Sequence, residues 1–250
     1  MEDQNTIKTY LIGLDNLIED LFGLNAKAFR SIWISFWSPK AYTKAAADSK
    51  WLESFTPTVR VWFGLVAFYA ALRFFYGSED GAMTQIYVDA LEAGIAENPG
   101  SSLAKIDTTS FAQSILKWTF VFFPFVMLPL YGLIALVFRI WPDKPGFVVR
   151  FRYIMLTVLP GTALTALLTI SYIFLEGVYL TAIMTINLIG IFVLDALTSY
   201  RGTLHTLARS NRRGLSLVLA ILLFTAFAAG SVIAAIPAVS AAMLELAPKS

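Results

Sequence analysis

The chain has 250 residues, of which 57% are hydrophobic and 14% charged, and its formal net charge is +2 at pH 7. This composition is too apolar for a soluble domain and indicates a protein that lies in a membrane. The absence of cysteine and the presence of a single histidine, His205, exclude disulfides, thiolate nucleophiles, iron–sulfur clusters and multi-histidine metal or haem sites. We therefore expect no cofactor, and the small net charge gives no sign of a nucleic-acid partner.

Residues 1–58 are predicted to be a cytoplasmic segment with an amphipathic helix. In residues 6–36 apolar side chains recur every three or four positions, as on one face of a helix. From Ala26 the polar face is basic and the apolar face is aromatic, with Phe29, Trp33, Phe36 and Trp37. This pairing is typical of a helix in the lipid headgroup layer, but the same face could pack on the protein's own helices. The sequence leaves both interpretations open.

Five further stretches are apolar and close to the length of about 20 residues with which a helix crosses a hydrocarbon core about 30 Å thick. We predict an all-α polytopic bundle with crossings at residues 59–76, 118–140, 153–175, 177–199 and 215–237. The third and fourth crossings form a hairpin joined only by Glu176 and Gly177. The acidic loop 77–117 is predicted to contain one amphipathic helix that stops at Asn98, and Ser110 with Gln113 resembles a capping box.

The basic residues of the connections predict the orientation. Lysine plus arginine number seven in residues 1–60, two in 77–117, four in 139–152, none at the hairpin tip, four in 200–214 and one in the tail 238–250. Because basic residues concentrate on the cytoplasmic side, this alternation predicts a cytoplasmic N-terminus and an external acidic loop and C-terminal tail.

The predicted hairpin carries two polar stripes. The first helix has Thr162, Thr165 and Thr169 on one face, and the second has a stripe of Thr181, Thr185, Asp195 and Ser199. Facing stripes could enclose a hydrated or headgroup-binding cavity. Alternatively, the hydroxyls bond within their own helices and the stripes only pack, which we favour for the threonines.

Asp195 is the strongest single candidate for a functional site. An ionised carboxylate in the hydrocarbon costs about 2.5–3.5 kcal/mol on insertion scales, and intramembrane acids tend to be functional. Asp195 also lies six residues before Arg201, so a paired or interfacial structural acid is an equal alternative. Asn187 is expected to fall off this stripe and to bond a different neighbour.

Two other groups of residues are candidates for contacts. Basic side chains beside the membrane are candidate anionic-lipid contacts, namely Lys27, Arg30, Arg209, Arg212 and Arg213. A small-residue ladder in the last crossing favours close helix packing, within this chain, with a partner or with a second copy. Its members are Ala226, Gly230, Ala234, Ala238 and Ala242.

Residues 36–42, with the sequence Phe-Trp-Ser-Pro-Lys-Ala-Tyr, and residues 51–57 directly precede the first predicted crossing. This segment resembles the entry segment of YIP-domain membrane proteins and of related uncharacterised bacterial membrane proteins. The resemblance covers roughly residues 32–237, and five crossings with a cytoplasmic N-terminus are similar to that family too. It implies a non-enzymatic membrane organiser or lipid-handling protein. The acidic tyrosine-glycine-proline signature of eukaryotic members is absent.

The sequence contains no G-x-S-x-G, H-E-x-x-H or phosphate-binding glycine motif. We therefore predict a non-enzymatic integral membrane protein that organises membrane, handles lipid or serves as a subunit of a complex. Its expected partners are membrane lipids, with a protein partner or a second copy through the last helix. The alternative is a transporter, channel or lipid scramblase that uses the polar hairpin. The resemblance favours the bacterial cytoplasmic membrane over a eukaryotic endomembrane.

Overall fold

The computed structural model describes residues 25–48, 53, 55–78, 81–99, 106–141 and 143–246, and within these ranges the protein is all-helical. Its helices are α1 (Ala26–Trp37), α2 (Pro39–Ala47), α3 (Thr58–Tyr76), α4 (Ala82–Glu97), α5 (Thr108–Val137), α6 (Phe147–Thr169), α7 (Gly177–Thr198) and α8 (Arg209–Leu246). A 3-10 turn, Ile170–Ile173, follows α6, and a π-helical turn, Ser199–Thr203, follows α7. The part of the predicted amphipathic helix before residue 25 lies outside the described residues.

Four helices in the described part of the chain are long and apolar enough to cross a membrane. They are α5, α6 with its 3-10 turn, α7 with its π-helical turn, and α8, with mean hydropathies between 1.8 and 2.5. They correspond to four of the predicted crossings. Helix α3 forms where the remaining crossing was predicted, and its passage through the membrane stays a prediction, as does the orientation of the chain.

The ends of the last helix differ from the prediction. Helix α8 begins at Arg209 and continues through Pro237 to Leu246, so it includes part of the predicted basic loop and part of the predicted tail. Pro237 has no N–H to donate to the carbonyl four residues earlier. Packing maintains the helix beyond it, because Ala238 and Ala242 are completely buried.

Glu245 attaches the end of α8 to the start of α5. Its carboxylate accepts hydrogen bonds from Ser114 Oγ at 2.6 Å and from Trp118 Nε1 at 2.9 Å, and it forms an ion pair with Lys117. The hydropathy pattern of the sequence does not reveal these contacts between α8 and α5. The helix was therefore predicted to end too early.

Helix α6 is the centre of the bundle. In its most apolar stretch 61% of the residues are buried, against 17% in α7, and Ile154, Met155, Leu156 and Leu159 are completely enclosed. It packs against α3, α5 and α7, while α5 and α8 share the most extensive interface between two helices. The two halves of the predicted hairpin therefore have very different surroundings.

The helix predicted in the acidic loop is present, over Ala82–Glu97. The start of α5 differs from the capping-box prediction, because Asp107 is the cap and its carboxylate accepts a hydrogen bond from the backbone N–H of Ser110 at 2.9 Å. Hydrogen bonding to the side chain of Ser110, together with this backbone hydrogen bond, lowers the pKa of Asp107. The helix consequently begins two residues earlier than Ser110.

The basic connections meet at one end of the bundle, here called the basic end. Trp141 Nε1 donates to the Thr203 carbonyl at 2.8 Å and joins the loop before α6 to the turn after α7. Arg201 donates to the Trp37 carbonyl at 3.2 Å and joins the same turn to α1. The start of α5 and the end of α8 meet at the opposite end. The connections that alternate in basic content along the sequence are thus sorted in space, with the basic ones at one end of the bundle.

Candidate functional site

Helix α1 turns three of its four aromatic side chains away from the rest of the protein. Phe29, Trp33 and Trp37, here called the aromatic ladder, are 50%, 64% and 63% exposed. Small side chains face the bundle instead, namely Ala28, Ser31 and Ser35, which are completely buried. Of the two interpretations of the apolar face, packing on the protein's own helices is therefore wrong for these three residues, whereas Phe36 of the same face does pack against the core. The ladder is available to surrounding lipid.

Helix α1 is attached to the bundle by polar contacts. The Asn25 side chain accepts from the N–H of Ala28 at 3.0 Å and caps the helix. Ser31 Oγ accepts from the N–H of Thr56 at 3.2 Å, just before α3. Nearby, burial raises the pKa of Tyr42 to about 12, so the tyrosine stays neutral. The hydrogen bond between Ser31 and Thr56 attaches α1 to the segment before α3.

A groove of about 360 Å³ lies beside the ladder, where α1 meets α2 and the π-helical turn. Its walls include Trp37, Lys40, Lys44 and Arg201, and no acidic residue is among the described residues that line it. We call it the basic groove. His205 lies near it, and burial lowers the pKa of His205, with the neighbouring Lys40, Lys44 and Arg212 lowering it further. The groove's positive charge near pH 7 therefore comes from its lysines and arginine.

The predicted lipid contacts fall into two groups. Lys27, Arg30, Arg209 and Arg213 are exposed, and the Arg30 guanidinium also lies 5.3 Å from the ring centre of Phe55. Arg212 differs, because it is half-buried and donates to the carbonyls of His205 and Leu207, both at 2.8 Å. Arg212 therefore shapes the loop before α8 rather than facing lipid.

Sequence reasoning missed which basic residues converge. Lys40, Lys44 and Arg201 were counted only as charges of their loops, and a second groove of about 460 Å³ contains Arg139, Lys144 and Arg150 together with Trp141. The numbers of lysine and arginine residues in the connections were the signal that both groups of basic residues lie on the same side of the membrane-crossing helices. Only the packing of α2 on the π-helical turn brings residues 40, 44 and 201 into one groove.

Asp195 lies inside the bundle and is 2% exposed. Its Oδ1 has no hydrogen-bond partner among the described residues. Gly161 of α6 faces it, and a Cβ atom at that position would lie 3.2 Å from Oδ1. No ion pair of Asp195 is found among the described residues, so its interpretation as a paired acid is wrong for that part of the chain, and its position relative to the membrane interface stays a prediction. A small central cavity next to it is also lined by Thr162 and Thr165.

The predicted polar stripe of α7 divides into two faces. Asn187, Ile191 and Asp195 share the buried face, so the prediction that Asn187 falls off the face of Asp195 is wrong. Asn187 Oδ1 lies 3.1 Å from Thr165 Oγ1 and joins α7 to α6. These three residues are spaced four apart in the sequence, so they lie on the same face of the helix.

The other threonines bond within their own helices. Thr181 donates to the Gly177 carbonyl at 3.1 Å and Thr185 to the Thr181 carbonyl at 2.9 Å. Both are next to an open groove between α7 and α4, away from the central cavity. Thr169 donates to the Thr165 carbonyl at 2.8 Å. The two stripes therefore meet only in part, at Thr162, Thr165, Asn187 and Asp195.

The small-residue ladder of α8 packs within the chain. Gly230 lies directly against Met127 and Leu130 of α5, and Ala234 is completely buried. Ala226 is half-buried. A partner or a second copy that contacts α8 would have to use the opposite face, where Val232, Ile233 and Ile236 are exposed.

The described residues contain no cluster of three or more histidine, aspartate or glutamate side chains that could hold a metal ion. Comparison with protein-family models, with curated proteins and with solved structures finds no match.

Proposed function

We propose that the protein is a non-enzymatic integral membrane protein that binds anionic lipid at its basic end and thereby organises the adjacent leaflet. The observation that carries the proposal is the outward orientation of the aromatic ladder beside the basic groove. Indole and phenyl rings are favourable at the membrane interface, and basic side chains there attract anionic headgroups. The two features are adjacent because Trp37 belongs to both.

The charge of the groove supports a phosphate-bearing headgroup as the ligand. Lysine and arginine contribute about 1 kcal/mol each to attraction by an anionic membrane surface. The three cations at the groove sum to about 3 kcal/mol on that scale. Trp37 at the same groove supplies apolar contact for the glycerol and the upper acyl chain.

The proposal includes five crossings with the basic end in the cytoplasm. Helix α3 supports it, because it starts near α1 at the basic end and Arg73, near its other end, lies beside Glu245 in the groove at the opposite end. A bacterial cytoplasmic membrane, where anionic lipid is abundant, and a YIP-like lipid-handling role are consistent with this arrangement. Reporter tags at residues 1 and 250 are expected in opposite compartments, and tags in one compartment would contradict the topology.

His205 provides a direct test of lipid binding, because it is the only histidine of the chain, and the lysines of the groove add to the lowering of its pKa by burial. We expect phosphatidylglycerol in nanodiscs to neutralise Lys40 and Lys44 and so raise the pKa of His205, measured by NMR titration of its ring. Phosphatidylcholine nanodiscs are the reference. Inorganic phosphate added to the reference is expected to produce a smaller shift, because it lacks the acyl chains that hold a headgroup at the membrane.

Matched charge variants make this test specific. Lys40→Gln with Lys44→Gln is expected to weaken binding of phosphatidylglycerol by roughly 2 kcal/mol, or about thirtyfold, and to abolish the His205 response. Arg139→Gln with Lys144→Gln removes the same charge from the other groove and is expected to retain the response. Equal behaviour of the two double variants, or no response in the unaltered protein, would overturn the proposal.

The aromatic ladder is tested by its depth in the bilayer. A variant in which Trp33 is the only tryptophan is expected to be quenched most by lipids brominated near the headgroup. A variant that retains only Trp62, which is 1% exposed, is the control and should be quenched little at any depth. Trp33 fluorescence that responds to aqueous quenchers and not to brominated lipid would contradict the position of α1 at the interface.

A further inference from the structure

A cavity of about 30 Å³ lies in the middle of the bundle, and α3, α5, α6, α7 and α8 all contribute to its wall. Its lining includes the polar side chains of Tyr69, Tyr131, Thr162, Thr165 and Asp195, together with the indole of Trp62. This volume is sufficient for a single ion or on the order of one water molecule. The cavity is separate from the aromatic ladder and the basic groove, so the inference below does not depend on the proposed lipid binding.

The charge of the cavity is unbalanced when Asp195 is ionised. Among the described residues that line it there is no lysine, arginine or histidine, and Tyr69 from α3 and Tyr131 from α5 are its only other titratable groups. The linings from α6 and α8 contain none. A buried carboxylate without a compensating charge is costly, so Asp195 needs either a proton or a cation.

Thr162 and Thr165 line the cavity, and their hydroxyl oxygens have unused acceptor capacity. Thr162 Oγ1 donates its proton to the Val158 carbonyl at 2.9 Å. Thr165 Oγ1 lies 3.1 Å from both the Gly161 carbonyl and Asn187 Oδ1, which compete for its single proton. Because each hydroxyl has one proton and two lone pairs, both oxygens retain a lone pair for a ligand. A carboxylate with two such oxygens suits a hard cation and disfavours an anion.

We propose that the central cavity binds one sodium ion, with Asp195 as the charged ligand and Thr162 and Thr165 as neutral oxygen ligands. In the absence of sodium the carboxyl of Asp195 holds a proton. When sodium enters, the O–H bond of the carboxyl breaks, the electron pair stays on the carboxylate oxygen and the proton leaves to water. The net charge of the site is conserved in this exchange, and the small volume favours sodium over potassium.

The first test measures binding of radioactive sodium by the purified full-length chain in nanodiscs at constant ionic strength. We expect one sodium per chain, displaced by protons and little affected by potassium or choline. Asp195→Asn retains the shape of the side chain, so the variant is expected to fold, and it should lose binding. Thr162→Val is expected to weaken binding about tenfold, equivalent to about 1.4 kcal/mol, and the exposed Thr181→Val is the matched control and should bind as the unaltered chain does.

The second test is infrared spectroscopy of the protonated carboxyl group. At fixed pH, sodium is expected to decrease the carbonyl band of protonated Asp195, a band that Asp195→Asn lacks and potassium leaves intact. A band that sodium does not change, or sodium binding that survives Asp195→Asn, would overturn the proposal. Because both measurements can be made in phosphatidylcholine, failure here would leave the lipid-binding function untouched.

Discussion

Helices α6 and α7 have similar compositions but occupy different positions in the bundle. Each is an apolar stretch of more than 20 residues with spaced threonines, and Glu176 and Gly177 join them. Yet α6 is enclosed by α3, α5 and α7, whereas most of α7 faces outward. Apolar composition therefore indicates that both helices can cross a membrane, but it does not indicate which of them forms the core of the bundle.

Composition does not identify the core helix because a membrane helix has apolar surroundings both toward the lipid and toward the protein. In water a polar face identifies the outside of a helix, but lipid tails are as apolar as leucine side chains. Small and polar residues identify the packed face better. Gly161 illustrates this, because it lets α7 approach α6 so closely that an added Cβ would lie 3.4 Å from Ile191 Cα.

Truncation of a leucine is expected to reveal the largest difference between the two helices. Leu156→Ala in α6 removes a completely buried side chain and should lower the free energy of unfolding by about 2–4 kcal/mol, through lost contacts and a cavity. Leu188→Ala in α7, where the leucine is 41% exposed, should cost much less because lipid can fill the space. Unfolding in mixed micelles with increasing SDS measures both, and equal losses would contradict the central position of α6.

The contact between the two helices is expected to have a smaller effect. Thr165→Val, Asn187→Leu and the double variant form a cycle across the 3.1 Å contact, and a coupling free energy of about 0.6 kcal/mol is typical of such bonds in membranes. The same SDS titration measures it. A coupling free energy indistinguishable from zero would indicate that these side chains do not join α6 to α7.

The smallest effect is expected at the outward face of α7. Thr181→Val and Thr185→Val remove hydroxyls that bond only to their own helix, so each should change the free energy of unfolding by less than about 0.5 kcal/mol. A larger loss, in the same assay, would show that the groove beside α4 stabilises the fold and that α7 is less peripheral than the structure indicates.

The positions of the helices could be predicted because they depend on local sequence. Runs of apolar residues located α5 to α8, and the spacing of Met83, Tyr87 and Leu91 located α4. Their ends were less accurate. Asp107 and Glu245 act through hydrogen bonds that a periodicity does not reveal, and Pro237 suggested a stop that tertiary packing overrides.

The candidate site could be predicted in part. Asp195 was identified by its cost in hydrocarbon, and Thr162 and Thr165 do line the same cavity. The face of Asn187 was predicted wrongly, because the expected stripe was drawn through Thr181 and Thr185. Spacing within one helix cannot show how that helix is rotated against its neighbour.

The amino-acid sequence by itself determined that the chain is apolar, helical and equipped with alternating basic and acidic connections, since these properties belong to composition and short-range spacing. The tertiary structure alone decided that Phe29, Trp33 and Trp37 face outward, that residues 40, 44 and 201 share one groove, and that Asp195 adjoins a central cavity. These features join residues far apart in the chain. They depend on how each helix is rotated and how closely it packs, which side-chain volume and hydrogen bonding across helices determine.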